Sequence, residues 1–73
     1  MNSLTRKELA YAYGFADFRP IRARIREKIH TLTDEQLEQL GNWTGSAKLL
    51  PKQVEIIVLI MGKPARPEVV YNN

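Results

Sequence analysis

The chain has no cysteine, a single histidine and a single tryptophan, and no apolar run long enough to cross a bilayer. Without cysteine there is neither a disulfide framework nor a thiolate zinc site, and His30 alone makes no histidine cluster. The longest strongly apolar run, Val54 to Met61, is interrupted by Glu55 and falls far short of the roughly 20 residues a membrane helix needs. No membrane association is expected. The stretch Met1 to Lys7 is polar and lacks a signal-peptide core, so a cytoplasmic location is expected and the sequon Asn42-Trp43-Thr44 is read as coincidental. Also missing are a phosphate-cradling glycine loop and any Ser, Asp or Glu spaced to form a triad with His30. A chain of 73 residues builds one modest core, burying about 60% of its unfolded surface, and leaves little room for a ligand pocket. These absences predict a non-enzymatic domain with no cofactor, no metal and no small-molecule substrate.

What is present is charge, unevenly spread. The net charge is +3, but residues 1–30 hold seven Lys or Arg against three acids, residues 31–50 hold one against three, and residues 51–73 hold three against two. A basic amino-terminal part beside an acidic middle predicts a polarised surface.

Capping signals divide the chain into helices. Thr5-Arg6-Lys7-Glu8 has the form of a capping box, in which the Thr5 hydroxyl accepts from the Glu8 amide and the Glu8 carboxylate accepts from the Thr5 amide. Leu4 and Leu9 are placed as a hydrophobic staple, and Gly14 is suited to a left-handed helix end, giving a first helix over about residues 6–13. Asp17 is placed to cap a second helix with Pro20 in its first turn, where a missing amide donor has no consequence, running to about His30. Phe18, Ile21, Ile25 and Ile29 form its apolar stripe, with Arg22 and Arg26 in one flanking row and Arg24 and Lys28 in another.

Thr33-Asp34-Glu35-Gln36 repeats the box, with Leu32 and Leu37 as staple, Asp34, Glu35 and Glu38 at the positive end of the dipole and Gly41 at the stop. Their position on a capped helix accounts for these acids without a cation. Residues 42–49 read as a loop whose one large apolar group, Trp43, lids the core. A last helix starts with Pro51 at its first position and stops at Gly62. Its Val and Ile content favours strand, whereas its length and flanking Pro and Gly favour helix. Because Val54 to Met61 is apolar on nearly every side, it is expected either to be the central core helix or to lend one face to a symmetric dimer. Tyr11 and Tyr13 lie two apart and cannot share a helix face, so one of them is expected to be exposed. Pro64 and Pro67 predict an extended, weakly packed tail. The expected architecture is all-α: a compact domain of about four short helices over residues 1–62, followed by a tail over 63–73.

The segment Thr5 to Ile29 resembles the helix-turn-helix of bacterial DNA-binding proteins, with Ala10 and Gly14 at that motif's spacing. It departs from the pattern at Pro20, where the simplest form has an apolar residue; a turn one residue longer brings Ile21 into register. The resemblance implies that the second helix presents polar side chains to the major groove. On that reading Arg19, Arg22 and Arg26 face outward, because arginine pairs bidentately with guanine or phosphate, and Arg6, Lys7, Arg24 and Lys28 serve the backbone. The ordinary alternative is that these cations simply cover the edges of an apolar stripe and keep the helix soluble.

The chain also resembles, over about Leu4 to Pro64, a Bacteroides-type family of short bacterial proteins classed as a domain of unknown function. The resemblance lies in Thr5-Arg6-Lys7-Glu8-Leu9-Ala10, Leu50-Pro51-Lys52-Gln53-Val54 and Met61-Gly62-Lys63-Pro64. That family usually has threonine where this chain has Leu50. It implies a small helical fold with a helix-turn-helix-like start and no assigned activity. Two functional expectations result. One is a DNA-binding protein, an accessory regulator of transcription or of a mobile element, acting singly or as a homodimer. The other is a protein-interaction module using the last helix, Trp43 or the tail. RNA is a third candidate, but no aromatic stacking platform is evident.

Overall fold

The computed structural model describes residues 1–45 and 47–71. The loop position Ser46 and the polar end at Asn72 and Asn73 lie outside the described residues. Five α-helices follow in order: α1 (Arg6–Ala12), α2 (Arg19–Lys28), α3 (Asp34–Leu40), α4 (Pro51–Met61) and α5 (Pro67–Tyr71). A single 3-10 turn over Ile29–Thr31 ends the α2 segment. The all-α class is as expected.

The caps form as the sequence indicates. Thr5 Oγ1 accepts from the Glu8 amide at 3.1 Å and Glu8 Oε1 accepts from the Thr5 amide at 2.8 Å. Thr33 and Gln36 repeat the exchange at 3.1 and 2.9 Å. At the end of α1 the Gly14 amide donates to Tyr11 O and the Phe15 amide to Ala10 O. This Schellman pattern needs a left-handed residue, supplied by Gly14 at φ 80°. Leu50 offers no side-chain cap to α4; only the return half of a box forms, with Gln53 Oε1 accepting from the Leu50 amide at 2.8 Å.

α4 is the central core helix. Val54, Ile56 and Ile57 are buried, and α2 and α3 pack on it. Helix geometry prevails over strand propensity because α2 and α3 cover the apolar sides of the run, while its outer side carries Lys52, Glu55 and Leu59 to solvent. The remaining core comes from Leu9, Ala10 and Ala12 of α1, Ile21 and Ile25 of α2, Leu40 of α3 and Val70 of α5. Leu4 and Leu49 close it through a short antiparallel bridge, exchanging amide hydrogen bonds of 3.0 and 2.7 Å. Trp43 is 6% exposed and lies against Phe18, with ring centroids 6.3 Å apart. Tyr11 is the exposed member of the Tyr11 and Tyr13 pair.

Three expectations need correction. The α2 helix stops at Lys28, since the chain tightens into the 3-10 turn before His30. Asp17 is not the N-cap residue; Phe18 occupies that position, and Asp17 Oδ1 accepts instead from the amide of Arg19. The segment after Lys63 is not a loose extended tail. Pro67 begins α5, which packs on α1 and buries Val70 completely. α1 has only seven residues and leaves carbonyls open at its end; the Arg66 amide donates to Ala12 O at 2.8 Å and Arg66 Nη1 to Tyr11 O at 2.8 Å. Asn2 completes the tie, its amide donating to Val70 O at 3.1 Å.

Candidate nucleic-acid interface

A ten-residue helix, about 15 Å long, carries five of the eleven Lys and Arg residues. Phe18, Ile21 and Ile25 are buried, which turns the opposite side of α2 to solvent. Arg19, Arg24, Arg26 and Lys28 are exposed and Arg22 is half-buried. Helical spacing puts Arg19, Arg22 and Arg26 in one row and Arg24 and Lys28 in another. Between the rows lie Pro20, Ala23 and Glu27, all exposed. Small side chains at Pro20 and Ala23 leave a low strip between two cationic edges. Glu27 puts an acid on that strip near its carboxyl end.

The cations differ in what they hold. Arg19, with its side chain 82% exposed, is paired to Asp17: its Nε lies 3.1 Å from both carboxylate oxygens and its Nη2 lies 2.7 Å from Oδ2. Hydrogen bonds from the Arg19 side chain and backbone hold the Asp17 carboxyl down at about 2, and the same contact raises the Arg19 guanidinium. Asp17 thus neutralises part of the row at its first residue. Arg22, Arg24, Arg26 and Lys28 lie within ion-pairing distance of no acid among the described residues.

Arg6 and Lys7 stand apart from this group. Arg6 is half-buried, donates from Nη2 to Trp43 O at 2.5 Å and holds its guanidinium 6.0 Å from the centre of the Phe18 ring. It ties α1 to the loop, a structural use that its charge alone did not reveal. Lys7 is exposed and lines a shallow hollow with Thr5, Glu8, Tyr11 and Val69, on the side of α1 that meets α5.

The acids of the middle segment do not cover α2. Glu35 and Glu38 line a hollow with Gln39, Lys52 and Glu55 on α3 and α4. No group of three metal-ligating side chains is brought together among the described residues, and no helix among them is long and apolar enough to cross a membrane.

The packing bears on the helix-turn-helix resemblance. Gly14 makes the turn, but α1 packs chiefly on α5 and α2 chiefly on α4. The first two helices are thus held by separate partners more than by each other. Two structural residues escaped the sequence reading. Gln53 is 7% exposed and bridges α3 to α4, donating from Nε2 to Leu40 O at 2.9 Å while accepting from Leu50. Arg66 spans the end of α1 and lies 4.3 Å from the centre of the Tyr11 ring. Glutamine three residues after a helix start was a readable signal for the first, whereas nothing local marks the second. Comparisons with protein-family models, curated proteins and solved structures give no match.

Proposed function

We propose that this is a non-catalytic DNA-binding domain that lays the solvent face of α2 against a duplex. The observation that carries this reading is the set Arg22, Arg24, Arg26 and Lys28, presented on one helix with no acid in ion-pairing reach among the described residues. Two cationic edges on either side of Pro20 and Ala23 suit a helix entering a groove, with arginines on phosphates or guanine edges. Arg19 joins them when phosphate displaces Asp17. Arg6, committed to Trp43 and Phe18, has no role in the contact. The reading rests on α2 as a charged helix more than on the helix-turn-helix pattern, given the separate packing of α1.

The test is fluorescence anisotropy with labelled duplex DNA at low salt. Binding weakens steeply as salt rises, and Arg22→Ala and Arg26→Ala each weaken it about fivefold. A folded protein with no binding at low salt, or arginine variants that bind as the parent does, overturns the reading. For the protein-interaction alternative, Trp43 is in the core, while Leu59 of α4 and Tyr71 of α5 are exposed.

A further inference from the structure

Leu59 is the most exposed large apolar side chain among the described residues, at 62%. It lies on the outer stripe of α4, with Lys52 and Glu55 preceding it at helical spacing. α3 runs antiparallel beside this helix. Gln39 Nε2 donates to Lys52 O and Gln53 Nε2 donates to Leu40 O at one end, and Gln36 shares a hollow with Leu59 and Ile60 at the other.

Charge changes sign along this stripe. On one side of Leu59 is the hollow lined by Glu35, Glu38 and Glu55 against the single Lys52. On the other side, the hollow that Leu59 itself lines contains Lys28 and no acid, with Leu32 and Ile60 as its apolar wall. Lys63 follows just past the end of α4 and is exposed. An apolar centre with acids at one end and cations at the other is self-complementary under a two-fold rotation. The rotation superposes the apolar centres and brings each acidic end to a basic end.

We infer that the α3–α4 face is the contact surface of a symmetric homodimer, with Leu59 of both copies at the two-fold axis and the two α4 helices antiparallel. Glu55 of each copy then faces the Lys28 and Lys63 end of the other. A second copy is the occupant that the charge pattern selects, because the face presents to itself the complement of its own charges. Nucleic acid is excluded from the acidic end by repulsion. The whole molecule measures 29 × 23 × 22 Å, so the contact falls below the standard interface of about 800 Å² per partner. Association in the micromolar range is expected.

Sedimentation equilibrium without nucleic acid, over about 10 μM to 1 mM, tests this. The parent protein moves from monomer toward dimer across that range. Leu59→Lys stays monomeric with an unchanged far-UV circular dichroism spectrum. Lys28→Glu and Glu55→Lys, each alone, place like charges together and weaken self-association at least about fivefold. Mixed in equal amounts, they restore a dimer, because the heterodimer has an opposite-charge pair at both contacts. A parent protein that is monomeric throughout, a dimer indifferent to Leu59→Lys, or a mixture no better associated than its components overturns the inference. Since no DNA is present, these outcomes are independent of the DNA-binding test.

Discussion

Gln53 is the residue that ties the start of α4 to the end of α3. Its side-chain amide donates to the last carbonyl of α3 in a buried contact and accepts from the amide of Leu50, the residue just before α4. Gln53→Ala strands the buried Leu40 carbonyl and costs about 2 kcal/mol in urea unfolding. Gln53→Met, which keeps the length but offers no amide, loses about as much, whereas a packing role would leave it near the parent. Asp17 has the most strongly lowered carboxyl and hence a legible pH dependence. Its folded value of about 2 lies below the ordinary 3.8 because Arg19 donates to the carboxylate from both side chain and backbone. A depressed folded value means the stabilisation is present above 3.8 and is lost as pH falls toward about 2. Asp17→Asn lacks this contribution, so its melting temperature lies below the parent's at neutral pH and the gap narrows across that acid window. A gap that stays constant through the window refutes the assignment. The pair is exposed, so added salt narrows the gap as well.

At the scale of elements, the helices that announce themselves by caps and stops were legible, and the one held by long-range contacts was not. Thr5 with Glu8, Thr33 with Gln36, Pro51 and the glycines at 14, 41 and 62 act within a few residues of themselves, so the sequence shows them directly. α5 has only five residues, too few to hold a helix unaided, and its prolines read as breaks. It exists because Arg66 closes the end of α1 and Val70 fills the core, contacts between residues more than fifty positions apart. The candidate site divides in the same way. Two cationic rows on α2 follow from spacing alone, but the capture of Arg6 by Trp43 and of Arg19 by Asp17 depends on where the backbone turns. α2 itself carries a further prediction. Glu27 sits on the strip between the rows, and if that strip meets DNA, Glu27→Ala tightens binding about threefold at low salt and less at high salt. Anisotropy titrations at two salt concentrations check this, and unchanged affinity would place the contact elsewhere on the molecule.

On the scale of the whole molecule, every helix contributes to one core: Leu9, Ile21, Leu40, Val54 and Val70 belong to the same buried cluster. A domain this small gains no stability from a second core, so its ends are expected to unfold with its centre. Trp43 reports on the side where Phe18 and Arg6 meet the loop, and Val70 lies in the short helix on the far side of α1. Val70→Ala removes buried methyl groups and leaves a void, costing about 2 kcal/mol and about 10 °C in melting temperature for a domain of this size. If the core is cooperative, this change in α5 lowers the transition seen by Trp43 fluorescence and that seen by far-UV circular dichroism by the same amount. The two curves then continue to superimpose. If α5 instead peels away by itself, circular dichroism shows an early, small loss while the Trp43 transition keeps its parental midpoint. Superposition in the variant joins the carboxyl-terminal helix to the folding unit that holds α2 in place. Any binding surface on α2 would then depend on α5, a segment with no basic contact of its own to offer it.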